Sequence, residues 1–182
     1  MAELDSAPTS SRPYLGKVVL DISIKSSGWT SLGVNIHQHC QKIAEAVISH
    51  VTGDDNIRNF IEVSLLLADD KSLYNLNKEY RNKNKPTNVL SFPFLKNSKN
   101  EVLNMVKSKS CTFLGDIAIS YARIMEESLQ QEKRFIEYFT YILIHGILHL
   151  FKYDHIIDEE AEIMEKMEIK IMKFLKLRSC RY

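Results

Sequence analysis

Four stretches of this chain carry β-branched and apolar residues in alternation or in short continuous runs. They read as strands: 17–25 (KVVLDISIK), 61–68 (IEVSLLLA), 89–94 and 113–120 (FLGDIAIS). Pro93 has no N–H for a ladder, so it confines the third strand to a sheet edge or to the strand's own end. Elsewhere the period lengthens to that of a helix. Residues 34–51 place Ile36, Cys40, Ile43, Val47 and Val51 on one face, and Asp70 is placed to cap a helix running to about residue 80. Residues 82–86 (NKNKP) form a turn-rich break, and the lysine-rich stretch 96–110 reads as a mobile loop or a short helix. Two helices follow over 121–151, broken near Gln130. The second is apolar nearly all round from Phe135 to Leu150, the mark of a buried central helix. The last helix opens at Asp158, with Glu159, Glu160 and Glu162 near its positive end. It closes with Lys173, Lys176 and Arg178 near its negative end, the order the helix dipole favours.

A chain of 182 residues can bury one sizeable core and is short for two. Residues 1–15 are small, polar and Pro-containing and are assigned as a flexible tail, leaving 16–182 as a single domain. The formal net charge of +1 names no partner, but its distribution is uneven. Between Lys71 and Lys109 there are nine Lys/Arg against two Asp/Glu; between Asp116 and Glu168 there are twelve acidic residues against five basic ones. The basic half suits a phosphate backbone or an ordinary solvated face. Cys40, Cys111 and Cys180 are far apart and odd in number, which fits a reducing compartment such as the cytosol. The first residues lack the basic end and apolar run of a secretory signal, and no stretch of eighteen apolar residues could span a membrane.

The candidate chemistry sits in the segment His145-Gly-Ile-Leu-His149-Leu-Phe-Lys-Tyr-Asp-His155. Histidines four apart on a helix share one face and can reach one ion. An uninterrupted helix would carry His155 roughly 240° around the axis from His149 and about 9 Å along it. The helix must therefore end after about Phe151 and fold back. Three neutral imidazoles leave a tetrahedral ion one open position, the arrangement of a catalytic zinc. Other first-row divalent metals accept the same ligands. A buried helix carrying two imidazoles on one face must give each a polar partner, which favours a metal over plain core packing. His37, His39 and Cys40 point to different sides of their helix and are read as surface and core residues. Gly146 occupies the position of the general-base glutamate in the peptidase pattern HExxH, so the usual proton acceptor for peptide hydrolysis is missing. The expected architecture is α+β: a roughly four-stranded mixed sheet packed with about five helices, with a zincin-like metal helix buried at the centre.

HGILHLFKYDH resembles the HGxLHLxGYDH signature of the YbeY family of bacterial metal-dependent endoribonucleases. Three more stretches match in order. Leu76–Arg81 (LNKEYR) resembles LNxxYR, Thr87–Pro93 (TNVLSFP) resembles TDVLSFP, and Leu114–Ser120 (LGDIAIS) resembles LGDIxIS. The motifs run over 60–160 and the fold similarity over 17–177. The resemblance implies one zinc ion held by His145, His149 and His155, a functional arginine at Arg81, and a cytoplasmic enzyme. It also implies single-strand endonucleolytic cleavage in 16S rRNA 3′-end maturation and ribosome quality control. Its partners would then be single-stranded RNA, the 16S rRNA precursor, and the ribosome or ribosomal proteins. Two positions depart from the pattern: Lys152 replaces a glycine and Asn88 replaces an aspartate. A glycine there suits a turn of positive φ, which costs a lysine about 1 kcal/mol. Asn88 keeps a hydrogen bond and loses a charge.

On this reading Arg81 clamps phosphate and steadies charge in the transition state of a metal-assisted phosphodiester hydrolysis. Its alternative is a plain surface cation. Asp154 reads as a turn cap rather than a partner of a histidine ring. Ser91 and Asp116 are explained as well by strand packing, and Met164, Met167 and Met172 by the core. Two other functions fit parts of the pattern: a zinc peptidase of the three-histidine type, and a non-catalytic RNA- or ribosome-binding factor.

Overall fold

The computed structural model describes residues 18–53 and 59–177; the assigned tail, Arg178 and Cys180 lie outside the described residues. The elements in chain order are β1 (Val18–Ile24), α1 (Ser27–Thr30), α2 (Ile36–Thr52), β2 (Phe60–Ala68), α3 (Asp70–Arg81) and β3 (Val89–Pro93). They continue with α4 (Lys99–Ser108), β4 (Cys111–Ser120), α5 (Tyr121–Gln130), α6 (Phe135–Leu150) and α7 (Asp158–Phe174). The four strands form one sheet in the order β1-β2-β4-β3. β1, β2 and β4 run parallel, and β3 pairs antiparallel with β4. The fold is α+β with a mixed sheet. Pro93 is the last residue of β3, the edge strand, so its missing N–H leaves no gap inside the sheet.

Seven helices stand among the described residues, against about five expected. α1 is only four residues long, too short for a periodic signal. Its Trp29 is nonetheless fully buried and donates its indole N–H to the Ala68 carbonyl at 3.1 Å. α4 resolves the ambiguous lysine-rich stretch. Ser98 and Glu101 form a capping box, with the Ser98 backbone N–H donating to Glu101 at 2.8 Å, and Val102 and Val106 are buried. Asp69, rather than Asp70, is the N-cap of α3 and accepts the Ser72 N–H at 2.8 Å. Asp70 instead receives the Arg123 guanidinium at 2.7 and 2.9 Å, which ties α3 to α5. Asp158, Glu159 and Glu160 occupy the first turn of α7, and Lys173 its last; Lys176 lies beyond the helix.

α6 is the centre of the molecule. Thirteen of its sixteen residues are buried, and it packs against β3, β4, α2, α5 and α7. Gly146 lets it lie close on the sheet. A Cβ there would meet Ile117 Cγ2 at 3.2 Å, and Ser91 Oγ and Val89 Cγ2 at 3.3 Å. The Ser91 hydroxyl donates to the Gly146 carbonyl at 3.0 Å, fixing the helix on the edge strand. A second close approach lies at a bulge between β2 and β4, where Gly115 has φ +139° and a Cβ would sit 2.2 Å from the Phe92 carbonyl oxygen.

Gly115→Ala therefore carries both a forbidden φ and a backbone clash. We expect a loss on the order of 3 kcal/mol, lowering the melting temperature by roughly 6–12 °C in a domain of this size. Thermal denaturation followed by circular dichroism measures it; an unchanged midpoint would contradict the assigned bulge.

Candidate metal centre

His145 and His149 lie one helical turn apart on α6, and His155 follows from the loop before α7. One ligand nitrogen of each lies within 4.8 Å of the others, and the three could hold a metal ion. His145 is buried, His149 half-buried and His155 exposed, so the cluster opens outward on one side.

The turn that brings His155 back is built from backbone hydrogen bonds. The Tyr153 N–H donates to the Leu148 carbonyl at 3.1 Å and the Lys152 N–H to the His149 carbonyl at 3.0 Å. Lys152 has φ 64°. This is a Schellman ending, which calls for a left-handed residue at that position. The turn keeps its left-handed form although a lysine occupies it. Tyr153 is buried, with the Lys99 ammonium 3.5 Å from its ring centroid. Asp154 accepts the His155 backbone N–H at 2.8 Å and so acts as a turn cap.

The outer nitrogens of the two helical histidines are both engaged. His149 Nδ1 meets the Tyr153 carbonyl at 2.9 Å, and His145 Nδ1 meets Glu168 Oε1 at 2.8 Å. A carbonyl and a carboxylate only accept, so each Nδ1 carries the proton. Both Nε2 lone pairs then face inward, and these two atoms are 3.0 Å apart. Two neutral imidazoles cannot hydrogen-bond in that arrangement; the contact calls for a cation between or beside them. Two nitrogens bound tetrahedrally at zinc–nitrogen distances of 2.0–2.1 Å would stand about 3.3 Å apart, close to what is seen. The donor set therefore fits a first-row divalent ion. Burial, with His145 and His155 nearby, lowers the His149 pKa to about 4, so it is a neutral donor at neutral pH.

The histidines floor a cleft of about 540 Å³. Arg81, Thr87, Asn88, Val89 and Ser91 form one wall, and Ala161, Met164, Glu165 and Glu168 of α7 the other. Arg81 is the exposed last residue of α3. The turn after it is held by Asn77, whose amide donates to the Lys85 carbonyl at 2.7 Å. The cluster of His37, His39 and Cys40 does not converge. His37 is exposed, His39 Nε2 bonds Thr140 Oγ1 at 2.8 Å, and burial pushes the Cys40 thiol up to about 12. Met164 and Met172 are buried and Met167 packs against the core, with Met164 also lining the cleft.

The sequence profile of the family described as Endoribonuclease YbeY matches residues 29–176. The chain belongs to the YbeY family. It is 34% identical over 161 residues to the endoribonuclease YbeY of Agrobacterium fabrum, covering 87% of this chain and 91% of that one. It is 44% identical over 116 residues to that of Sinorhizobium fredii, covering 64% of this chain and 63% of the relative. The fold is similar to the solution structure of TM1509 from Thermotoga maritima, with TM-score 0.52, 20% identity, and coverage of 87% and 92%.

Against the YbeY pattern, Asn88 does not reach Arg81 by any hydrogen bond among the described residues. Its amide donates to Glu127 at 2.9 Å and its oxygen accepts the Val89 N–H at 2.7 Å. Glu127 also accepts the Tyr138 hydroxyl at 2.9 Å. An aspartate in this setting would face the Glu127 carboxylate, so the asparagine suits its neighbour. Glu168 escaped the sequence reading because it lies 23 residues from His145 on another helix. Only its place one helical turn beyond Met164, facing the core, could have hinted at it. Strand packing and hydrogen bonding account for Ser91, whose bond to Gly146 holds α6 on the edge strand.

The lowered His149 pKa has a thermodynamic consequence. The unfolded chain protonates this residue near 6.5, the folded chain only near 4. Between those values the unfolded state binds more protons, so stability falls as pH falls. In chelator-treated protein we expect the melting temperature to drop from pH 7 to pH 4, with a smaller drop in His149→Gln. Equal slopes in the two proteins would contradict the buried neutral assignment.

Proposed function

We propose that this chain is a zinc-dependent, single-strand-specific endoribonuclease. Its place of action is the cytoplasm, in 16S rRNA 3′-end maturation and ribosome quality control. The observation that carries the metal-dependent part is the convergence of two inward-facing Nε2 lone pairs at 3.0 Å with His155 alongside. Family membership and the activity named for the relatives support ribonuclease activity, and the motif resemblance supports the rRNA role. No helix among the described residues is long and apolar enough to cross a membrane.

A divalent ion bound here would supply Lewis-acid polarisation of a phosphoryl oxygen and an acidified water molecule. His145, His149 and His155 would hold it. Arg81, on the cleft wall, donates to non-bridging phosphate oxygens and stabilises the charge that grows as the phosphodiester is attacked. A single strand would lie in the cleft lined by Arg81 and α7. The exposed lysines Lys78, Lys83 and Lys85 near Arg81 favour a polyanion.

Gly146 weighs against the peptidase reading. A glutamate at 146 would have to grow from a Cβ already 3.2–3.3 Å from Ile117, Ser91 and Val89. The non-catalytic RNA-binding factor is the second reading, and cleavage decides against or for it. Purified protein should cut single-stranded RNA, with activity lost on chelation and restored by zinc. His149→Ala should remove cleavage, and Arg81→Ala should lower it by about 10²-fold, the usual size for one donor to transition-state charge. Wild-type protein that binds rRNA without cutting it under any divalent metal would overturn the enzyme and leave the binding factor.

A further inference from the structure

We propose that Glu168 is the positioning residue and charge partner of this metal site: it sets the orientation of His145 and supplies the negative charge that tightens metal binding. The inference rests on the metal reading above and concerns a residue on a different helix from the ligands.

Glu168 is 5% exposed, and both of its oxygens are used. Oε1 accepts from His145 Nδ1 at 2.8 Å, and Oε2 accepts from the Tyr141 hydroxyl at 3.1 Å. No lysine or arginine among the described residues pairs with it; its one ion-pair contact is His145 itself. A carboxylate taken out of water with two hydrogen bonds and no cation is costly to the folded chain. The charge that would offset it lies on the far side of the imidazole, where Nε2 faces the other ligands. The carboxylate thus does two things through one ring. It holds the proton on Nδ1 so that Nε2 is always the donor, and it places a negative charge one ring away from the ion. α7 carries Glu168 and begins just after His155, so its docking brings in both a ligand and the group that orients another. A merely structural carboxylate would stabilise the metal-free chain. This one holds its charge against the metal-free chain and returns it when metal enters.

The test is Glu168→Gln. Glutamine keeps an acceptor for the His145 N–H and a partner for Tyr141, and removes only the charge. Zinc affinity is read by competition with a chelator of known affinity, and the melting temperature is read with and without zinc. The expected result is a zinc dissociation constant raised by about 10- to 100-fold. The metal-free melting temperature should be at or above wild type, and the gain on adding zinc smaller. Tyr141→Phe, which leaves the His145 contact intact, should weaken zinc binding less than Glu168→Gln. Equal zinc affinity in wild type and Glu168→Gln would overturn this role while leaving the metal site standing. A metal-free variant that melts well below wild type would show a structural role instead. A wild type that takes up no zinc would overturn the site itself, and this role with it.

Discussion

Two imidazoles on a buried helix hold their Nε2 lone pairs 3.0 Å apart, and much of the molecule serves to keep them there. Left alone, such a pair would rotate away or take up a proton. Here rotation is blocked from outside. A carbonyl holds one ring by its Nδ1 proton and a buried carboxylate holds the other. The helix that carries them is itself pinned: Gly146 removes the Cβ that would lift it off the sheet, and Ser91 ties its backbone to the edge strand. The polar centre is therefore the consequence of apolar packing around α6.

The third histidine depends on a different constraint, the manner in which α6 stops. The backbone needs a left-handed residue where the sequence offers Lys152, and the two hydrogen bonds of the Schellman ending hold that lysine at φ 64°. The local cost of that conformation is about 1 kcal/mol, small beside the burial of Tyr153 and the return of His155 to the cluster. The chain reversal and the convergence of the three histidines are thus one structural event. The same economy holds on the opposite wall, where the Asp70–Arg123 pair and Asn77 fix the two ends of α3 and so place Arg81 over the cleft.

Much of this was legible in the sequence because the signals were local. The period of 135–150, the i, i+4 histidines and the acidic start at Asp158 each arise within a few turns of chain. The need for a break before His155 followed from helix geometry alone, and Lys152 takes the conformation that the break demands. The sheet's four strands were readable, as was the confinement of Pro93 to an edge or to the end of its strand. What escaped was long-range or too short. α1 has no period to detect, although its Trp29 is core. Asp69 and Asp70 are adjacent and chemically alike, and only a partner 53 residues away separates their roles. Glu168 looked like one more acid on a charged helix. Its burial is set by tertiary packing, which no local pattern records.

The central claim is that these three imidazoles bind one metal ion through inward-facing nitrogens. X-ray absorption spectroscopy on protein purified without added metal, with metal content measured on the same sample, tests it most directly. About one zinc per chain is expected, with a first shell of nitrogen and oxygen only, at about 2.0–2.1 Å, and the outer-shell scattering of imidazole rings. A sulfur-containing shell, or protein that stays metal-free after incubation with zinc, would contradict it.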